Sequence, residues 1–474
     1  MKIINLKLVF IFISCILSKN ISNDEILKKL NDIITKEESP LLAASLAIIK
    51  DNKTLFCNST GTSRIYENKT SNENTKYRTA SISKLFTAIA IWQLVEEGKL
   101  DIKKDVSEYL GFTLRNPKFK DINITIQMLL SHTSSVREDG DNANYNIKYN
   151  NHIKDFFTEN SSIYYDKCYD FDHGPNYFEY INMNYCLLGT IIENVTNERF
   201  DKYMINKVLQ PLNITGSFNI YEMSNETLDM TGTIYRKLKD GKFNVKGDWV
   251  AQMDDFSKGY PKVDYSEYVI GTNGALYGPQ GNLRISISEL THLVKMFINN
   301  GTYNNNTILK KETIDKMLEI IWKYDGKNGN TQDDYDRAYA GGPMIITNEG
   351  KNRIHETKNF NFTGHTANAY GLFGGLFFDR VKGYGLVYIG NGISRDLSEY
   401  ISDYSSFNNW ALDFIKLADE VAEFDYPVKE NTNGFWIYLI TFGIIAILIC
   451  SCVSAILIYY KKDTSYKNEQ LISN

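Results

Sequence analysis

The sequence predicts an α+β fold in which one sheet is assembled from strands at both ends of the chain and a helical region is inserted between them. Three stretches predict it. "LLAASLAIIKDNKTLFCNSTG", from Leu41, reads as two strands of apolar and β-branched residues joined by a turn at Asp51-Asn52. "GLFGGLFFDRVKGYGLVYIGNG" repeats that pattern near the other end, turning around Asp379 to Gly383. Between them Leu85 to Leu94 is apolar on nearly every side, with Gly98 where a C-terminal cap belongs, which predicts a buried helix.

The remaining elements follow from the same patterns. A last helix is expected from about Asn408 to Ala422, and the polar stretches Arg137 to Asp172 and Asn225 to Tyr268 show no periodicity and are expected as loops walling a cleft. The two ends stand apart from this domain, taken as residues 24–420. Lys2 and Lys7 precede and enter the apolar "LVFIFISCIL", so residues 1–18 read as a secretory signal peptide. "FWIYLITFGIIAILICSCVSAILIYY", residues 435–460, carries no charge and is long enough to cross a bilayer. Aromatic residues mark both of its ends and Lys461-Lys462 follow, which puts the tail, 461–474, in the cytoplasm and leaves 421–434 as a juxtamembrane linker. The chain is therefore expected in the secretory pathway as a single-pass type I membrane protein with its folded domain extracellular or lumenal.

Composition narrows the partners. A net charge of −5, with both signs mixed along 474 residues, argues against a nucleic-acid partner. Asn-x-Ser/Thr sequons such as Asn58, Asn123 and Asn213 recur through the domain, as a secretory glycoprotein would show. Of six cysteines, Cys15 lies in the signal and Cys450 and Cys452 in the membrane span, leaving Cys57, Cys168 and Cys186; these permit one disulfide, Cys168 with Cys186 being one candidate. The few histidines are scattered, so no metal and no cofactor are expected.

The chemistry gathers at "RTASISKLFTA", where Ser81 precedes Lys84 by three residues at the start of the buried helix. Residues so spaced share a helix face, and the free N–H groups of a first turn favour a developing oxyanion. Ser81 could then act as a nucleophile with Lys84 as its activator, provided burial lowers the lysine pKa. The plain alternative is a capping serine. Against it, this tetrad occurs once in the chain, and two further stretches supply partners. Tyr180-Ile181-Asn182 opens an apolar helix in "FEYINMNYCLLGTIIENVT", and His365-Thr366 precedes the late hairpin in "FTGHTANAYG".

Together with "ITIQMLLSHTSSV", "YMINKVLQPLNITGS" and "GPQGNLRISISELTHLVKMFINNGTYNN", these passages stand in the order found in serine β-lactamases and penicillin-binding proteins of the class C type, and the chain resembles that family from about residue 40 to 415. The resemblance implies a β-lactamase/transpeptidase-like fold: an antiparallel sheet flanked by helices, an inserted helical subdomain, and the cleft between them. It implies that Ser81 is the acylated nucleophile, Lys84 its partner, and Tyr180 the phenol that, as phenolate or through Lys84, takes the serine proton and later activates water. Asn182 would bond the substrate amide and Lys84, His365 and Thr366 would close the cleft opposite the serine, and the backbone N–H groups of Ser81 and Asn368 would form the oxyanion hole. His132 in "SHTSS" is read as structural.

Two positions depart from the family pattern: Ala367 stands where Gly is usual, crowding the strand a substrate would lie along, and Ser135 follows Ser134 where Gly is common. The function expected is a membrane-anchored serine hydrolase acting on a small-molecule or peptide amide or ester. A catalytically idle binding module of the same fold is the rival, opposed by the joint presence of Ser81, Lys84, Tyr180 and Asn182.

Overall fold

The computed structural model describes residues 21–138, 151–260 and 262–427. The signal peptide, membrane span and tail expected at 1–18, 435–460 and 461–474 lie outside the described residues, as does the second half of the expected linker, 428–434. Among the described residues no helix is long and apolar enough to cross a membrane.

The sheet is closed by the two ends of the domain. Strands β1 (Leu41–Lys50) and β2 (Lys53–Arg64) form the first hairpin, turned by Asp51 and Asn52, whose φ angles of 51° and 62° are the left-handed pair that a two-residue hairpin requires. Strand β7 (Tyr384–Ile393) of the late hairpin pairs antiparallel with β1 from Leu41↔Ile393 to Lys50↔Tyr384. With β5 (Thr363–Ala369) and β6 (Leu372–Asp379), the antiparallel order is β5-β6-β7-β1-β2. Both faces are covered. Odd-numbered Phe373 stacks on Trp410 of α5 (Asn409–Ala422), whereas even-numbered Phe378 stacks on Phe297 of α4 (Ile287–Ile298). Burial on both sides explains why β6 and β7 read as continuous apolar runs. Helix α1 (Asn23–Ile34), capped by Ser22, buries Ile26, Leu30, Ile33 and Ile34 at helical spacing and packs beside α5.

The inserted region centres on α2 (Ser83–Glu96) and α3 (Met183–Thr196), both buried on nearly every side. A glycine pair sets how the chain lies on α3: a Cβ on Gly274 would fall 2.4 Å from the Gly189 carbonyl carbon, and one on Gly189 would fall 2.7 Å from Pro279. That close approach seats the "GPQGNL" segment against the helices.

Three expectations are corrected. The stretch 225–268 is not all loop; β3 (Ile234–Lys239) and β4 (Asp248–Met253) pair in it, and β3 bridges in parallel to Ile393 of β7. Its charged, half-exposed residues are those of an edge hairpin and hide the strand period. The folded domain also runs past 420, since α5 ends at Ala422 and Phe424 packs on the rings of Phe360, Phe362 and Tyr384. Finally, Cys57, Cys168 and Cys186 are all free thiols, so the candidate disulfide is not formed. Residues 357–359 and 426–427 belong to a separate small unit, in which the Asn359 N–H donates to the Pro427 carbonyl.

Candidate active site

Ser81 lies in a single 3₁₀ turn, Ala80–Ile82, that leads into α2, rather than in the first turn of the α-helix itself. Ala80 is held at φ 44°, a left-handed conformation that costs an alanine about 1–2 kcal/mol. The neighbouring backbone holds it there. The Thr79 N–H and hydroxyl both donate to the Leu283 carbonyl, at 2.9 and 3.1 Å, and the Leu283 N–H donates to Ser83 Oγ at 3.1 Å. Strain confined to the residue before a candidate nucleophile, and fixed by a separate segment, is how a fold presents one hydroxyl in one direction.

Lys84 is fully buried, and its Nζ lies 3.0 Å from Ser81 Oγ, 2.7 Å from Asn182 Oδ1 and 2.8 Å from the Gln280 carbonyl oxygen. Burial pushes its pKa down to about 7, so a large fraction is neutral near neutral pH. A neutral amine has two N–H groups and one lone pair. The Gln280 carbonyl can only accept, and Asn182 is fixed as an acceptor because its Nδ2 donates to Glu138 Oε1 at 3.2 Å. Both N–H groups are thereby engaged and the lone pair is left for the Ser81 hydroxyl. Glu138 Oε2 also takes the Met183 N–H at 2.6 Å, which anchors the carboxylate at the start of α3.

Tyr180 completes the group. Its hydroxyl donates to Ser81 Oγ at 2.8 Å, and burial raises its pKa well above the ordinary phenol value, so it is neutral and serves as a donor. Its ring is stacked at 4.4 Å between centroids on His132. That imidazole is buried and neutral, and its Nδ1 accepts the Ile181 N–H at 3.1 Å. The role of His132 is thus structural: it packs directly behind Tyr180 and fixes the adjoining backbone. Ser135 of the same box has φ 63°, the conformation that the more usual glycine adopts without strain.

The other wall of the cleft is β5. Thr366, Ala367 and Asn368 line a 470 Å³ cavity with Ser81, Tyr180 and Asn182, and Asn368 also lines an adjoining 700 Å³ cavity that includes Ser81. Ala367 is 4% exposed and sits opposite Gly374, whose lack of a side chain makes room for the extra methyl. His365 departs from expectation: it lines neither cavity. Its ring is buried 6.0 Å from that of Tyr180 and 6.2 Å from that of Tyr339, with Nδ1 on the Thr366 carbonyl at 2.8 Å. Burial and the nearby Lys84 push its pKa down to about 3. The structure thus brings Ser81, Lys84, Tyr180 and Asn182 into one hydrogen-bonded cluster and leaves His365 buried beside the rings of Tyr180 and Tyr339, lining neither cavity.

Glu138 and Gln280 were not singled out by sequence. Both act through groups that carry no motif: a carboxylate 44 residues from Asn182, and a backbone carbonyl 196 residues from Lys84. Among the described residues no group of His, Cys, Asp and Glu is placed to hold a metal ion.

The family model for Beta-lactamase matches residues 30–398. The chain belongs to the Beta-lactamase family. The family is one of β-lactamase-fold serine hydrolases. Among curated proteins the chain is 34% identical over 197 residues to Protein flp of Staphylococcus aureus strain N315, a match covering 41% of this chain and 38% of the relative. The alignment thus spans well under half the length of that relative. Among solved structures, an octameric penicillin-binding protein homologue from Pyrococcus abyssi matches with a TM-score of 0.57 and 20% identity, over 83% of this chain and 76% of the other. The D-amino acid amidase of Ochrobactrum anthropi SV3, complexed with L-phenylalanine amide, matches with a TM-score of 0.56 and 16% identity, over 84% of this chain and all of the other. These likenesses show the fold, with the antiparallel sheet and flanking helices described above.

Proposed function

We propose that the chain is a membrane-anchored serine hydrolase that works through an acyl-enzyme on an amide, peptide or ester. One observation carries this reading: the Lys84 lone pair is directed at a hydroxyl that Tyr180 also contacts, because every other hydrogen-bonding position on the amine is occupied. Lys84 takes the Ser81 proton as Oγ bonds to the substrate carbonyl carbon. The oxyanion so formed faces the backbone N–H groups of Ser81 and Asn368. The proton passes from Lys84 to the leaving group, through the Tyr180 hydroxyl or directly, as the scissile bond breaks. Water then enters and bonds to the acyl carbon as it gives a proton to the same base, and that proton returns to Ser81 Oγ as the bond between Oγ and the acyl carbon breaks. The L-phenylalanine amide bound in the solved structure of the Ochrobactrum D-amino acid amidase supports an amide among the candidates.

Anchoring through 435–460, with 1–18 as signal, 461–474 as cytoplasmic tail and the catalytic domain outward or lumenal, belongs to the same reading and is supported by the uncharged span and the lysines that follow it. The test is the intact mass of the full chain in detergent after incubation with an activated ester and, separately, with a slow β-lactam. An acyl adduct that Ser81→Ala loses is the expected result. Folded protein that forms no adduct with either reagent would leave the idle binding module as the reading.

A further inference from the structure

The 700 Å³ part of the cleft holds more positive charge than its surroundings balance. Arg78, three residues before Ser81, and Arg236, on β3, both line it together with Ser81, Asn182 and Asn368. Arg78 donates through Nε to Asn282 Oδ1 at 2.9 Å, and its Nη1 is buried with no hydrogen-bond partner. Arg236 likewise leaves Nε buried and unpartnered. Neither guanidinium forms an ion pair among the described residues. A buried carboxylate that attracts Arg78, Asp254, is taken bidentately by Arg284 at 2.7 and 3.0 Å, and the repulsion of Arg78 by Arg284 outweighs that attraction. Asp396, the acidic residue of the lining, caps the following turn by accepting from the Ser398 N–H and hydroxyl.

Aromatic cover holds the two cations in place. The Arg78 guanidinium lies 4.7 Å from the ring centroid of Tyr370, and that of Arg236 lies 5.5 Å from the ring of Phe243. Tyr370 and Gly371 form the two-residue turn between β5 and β6, with φ of 59° and 112°. Glycine is required at 371, since a Cβ there would meet the Tyr235 carbonyl oxygen at 2.1 Å and Arg236 Cγ at 2.8 Å. The left-handed tyrosine is a strained choice for a turn, and it is the residue whose ring covers Arg78.

Burying N–H groups of a guanidinium without partners is unfavourable unless something supplies the acceptor, and the planar fork of arginine matches a carboxylate. We propose that Arg78 and Arg236 form a subsite for a carboxylate carried by the substrate, so that the cleft selects acidic amides or esters over neutral ones. The subsite lies on the Arg78–Tyr370–Arg236 side of Ser81, away from His365 and Thr366. Calling its ligand a substrate rests on the acyl-transfer reading above.

The experiment separates the two. Full-length Ser81→Ala protein in detergent is titrated calorimetrically with glutaric acid monoanilide and with valeranilide, which has a methyl group in place of the carboxylate. The acidic anilide is expected to bind at least tenfold more tightly, and Arg78→Gln or Arg236→Gln to reduce that preference below threefold. Arg236 lies on a separate edge hairpin, so its variant reports even if Arg78→Gln does not fold. Equal binding of the two anilides, no binding of either, or a preference that survives both substitutions overturns the subsite. In parallel, p-nitrophenyl hydrogen glutarate and p-nitrophenyl valerate are compared on the Ser81 protein. Hydrolysis of both at equal kcat/KM leaves the hydrolase standing and overturns the subsite. Carboxylate-dependent binding with no acylation by either ester overturns the hydrolase and leaves Arg78 and Arg236 as an anion-binding site.

Discussion

The two walls of the cleft differ in how their side chains are held. On the helical wall, each polar atom of Lys84, Asn182 and Tyr180 has a partner, and the partners fix which atoms donate and which accept. On the strand wall, His365 is buried with Nε2 unpartnered, and Thr366, Ala367 and Asn368 are what face the cavity. A side chain on a buried helix start is constrained by neighbours from three segments. On the strand wall the imidazole of His365 is instead held among the rings of Tyr180 and Tyr339. The helical wall thus fixes the orientation of its polar groups, while the strand wall presents small side chains and backbone to the cavity.

The sharpest way to break this contrast is Lys84→Met, which removes the base while keeping the volume. It should lower the acylation rate about 10²–10⁴-fold with an activated ester, read by stopped-flow or quenched mass spectrometry. If the fall is under tenfold, the helical wall is not the reacting wall.

Next is pH. Lys84 acts when neutral, and its pKa is about 7, so log kcat/KM should rise with unit slope below about pH 7 and level off above it. Tyr180 acting as phenolate would instead place the rise above pH 10, because burial raises its pKa. His365, at about 3, adds no limb between pH 5 and 8.

Gly274→Ala tests the support behind the helical wall. Its Cβ would fall 2.4 Å from the backbone of Gly189 and Thr190, so the segment carrying Gln280 must shift away from α3. A displacement of that kind should cost about 10²-fold in kcat/KM, and thermal melting should show a lower midpoint.

The smallest effect is expected from His365→Asn. Because the ring lines neither cavity, kcat/KM should change by less than about tenfold and the limb near pH 7 should stay in place. A loss as large as that of Lys84→Met would show that the strand wall reaches the reacting atoms.

Much of the fold was legible from sequence. The Asp51-Asn52 turn, the two hairpins, the buried helix ahead of Gly98 and the helix capped by Asn408 all formed as read, because each is set by residues close together in the chain. The edge hairpin at 234–253 was not legible, since its lysines and arginine obscure a strand that pairs with β4 and meets β7 at a single bridge. Within the site, the pairing of Ser81 with Lys84 was readable because three residues along a turn bring two side chains together whatever else the chain does.

By itself, then, the sequence determined which groups are present and which of them must be neighbours across a turn or a hairpin. Tertiary structure decided protonation and direction. Lys84 titrates near 7 because distant segments bury it, and its lone pair points at Ser81 because Asn182, held by Glu138, and the Gln280 carbonyl take its protons. His365 is buried because the rings of Tyr180 and Tyr339 pack beside it, and Arg78 is left without an ion pair while Arg284 holds Asp254. Desolvation and competition for partners depend on atoms that arrive from far along the chain, and no local spacing records them.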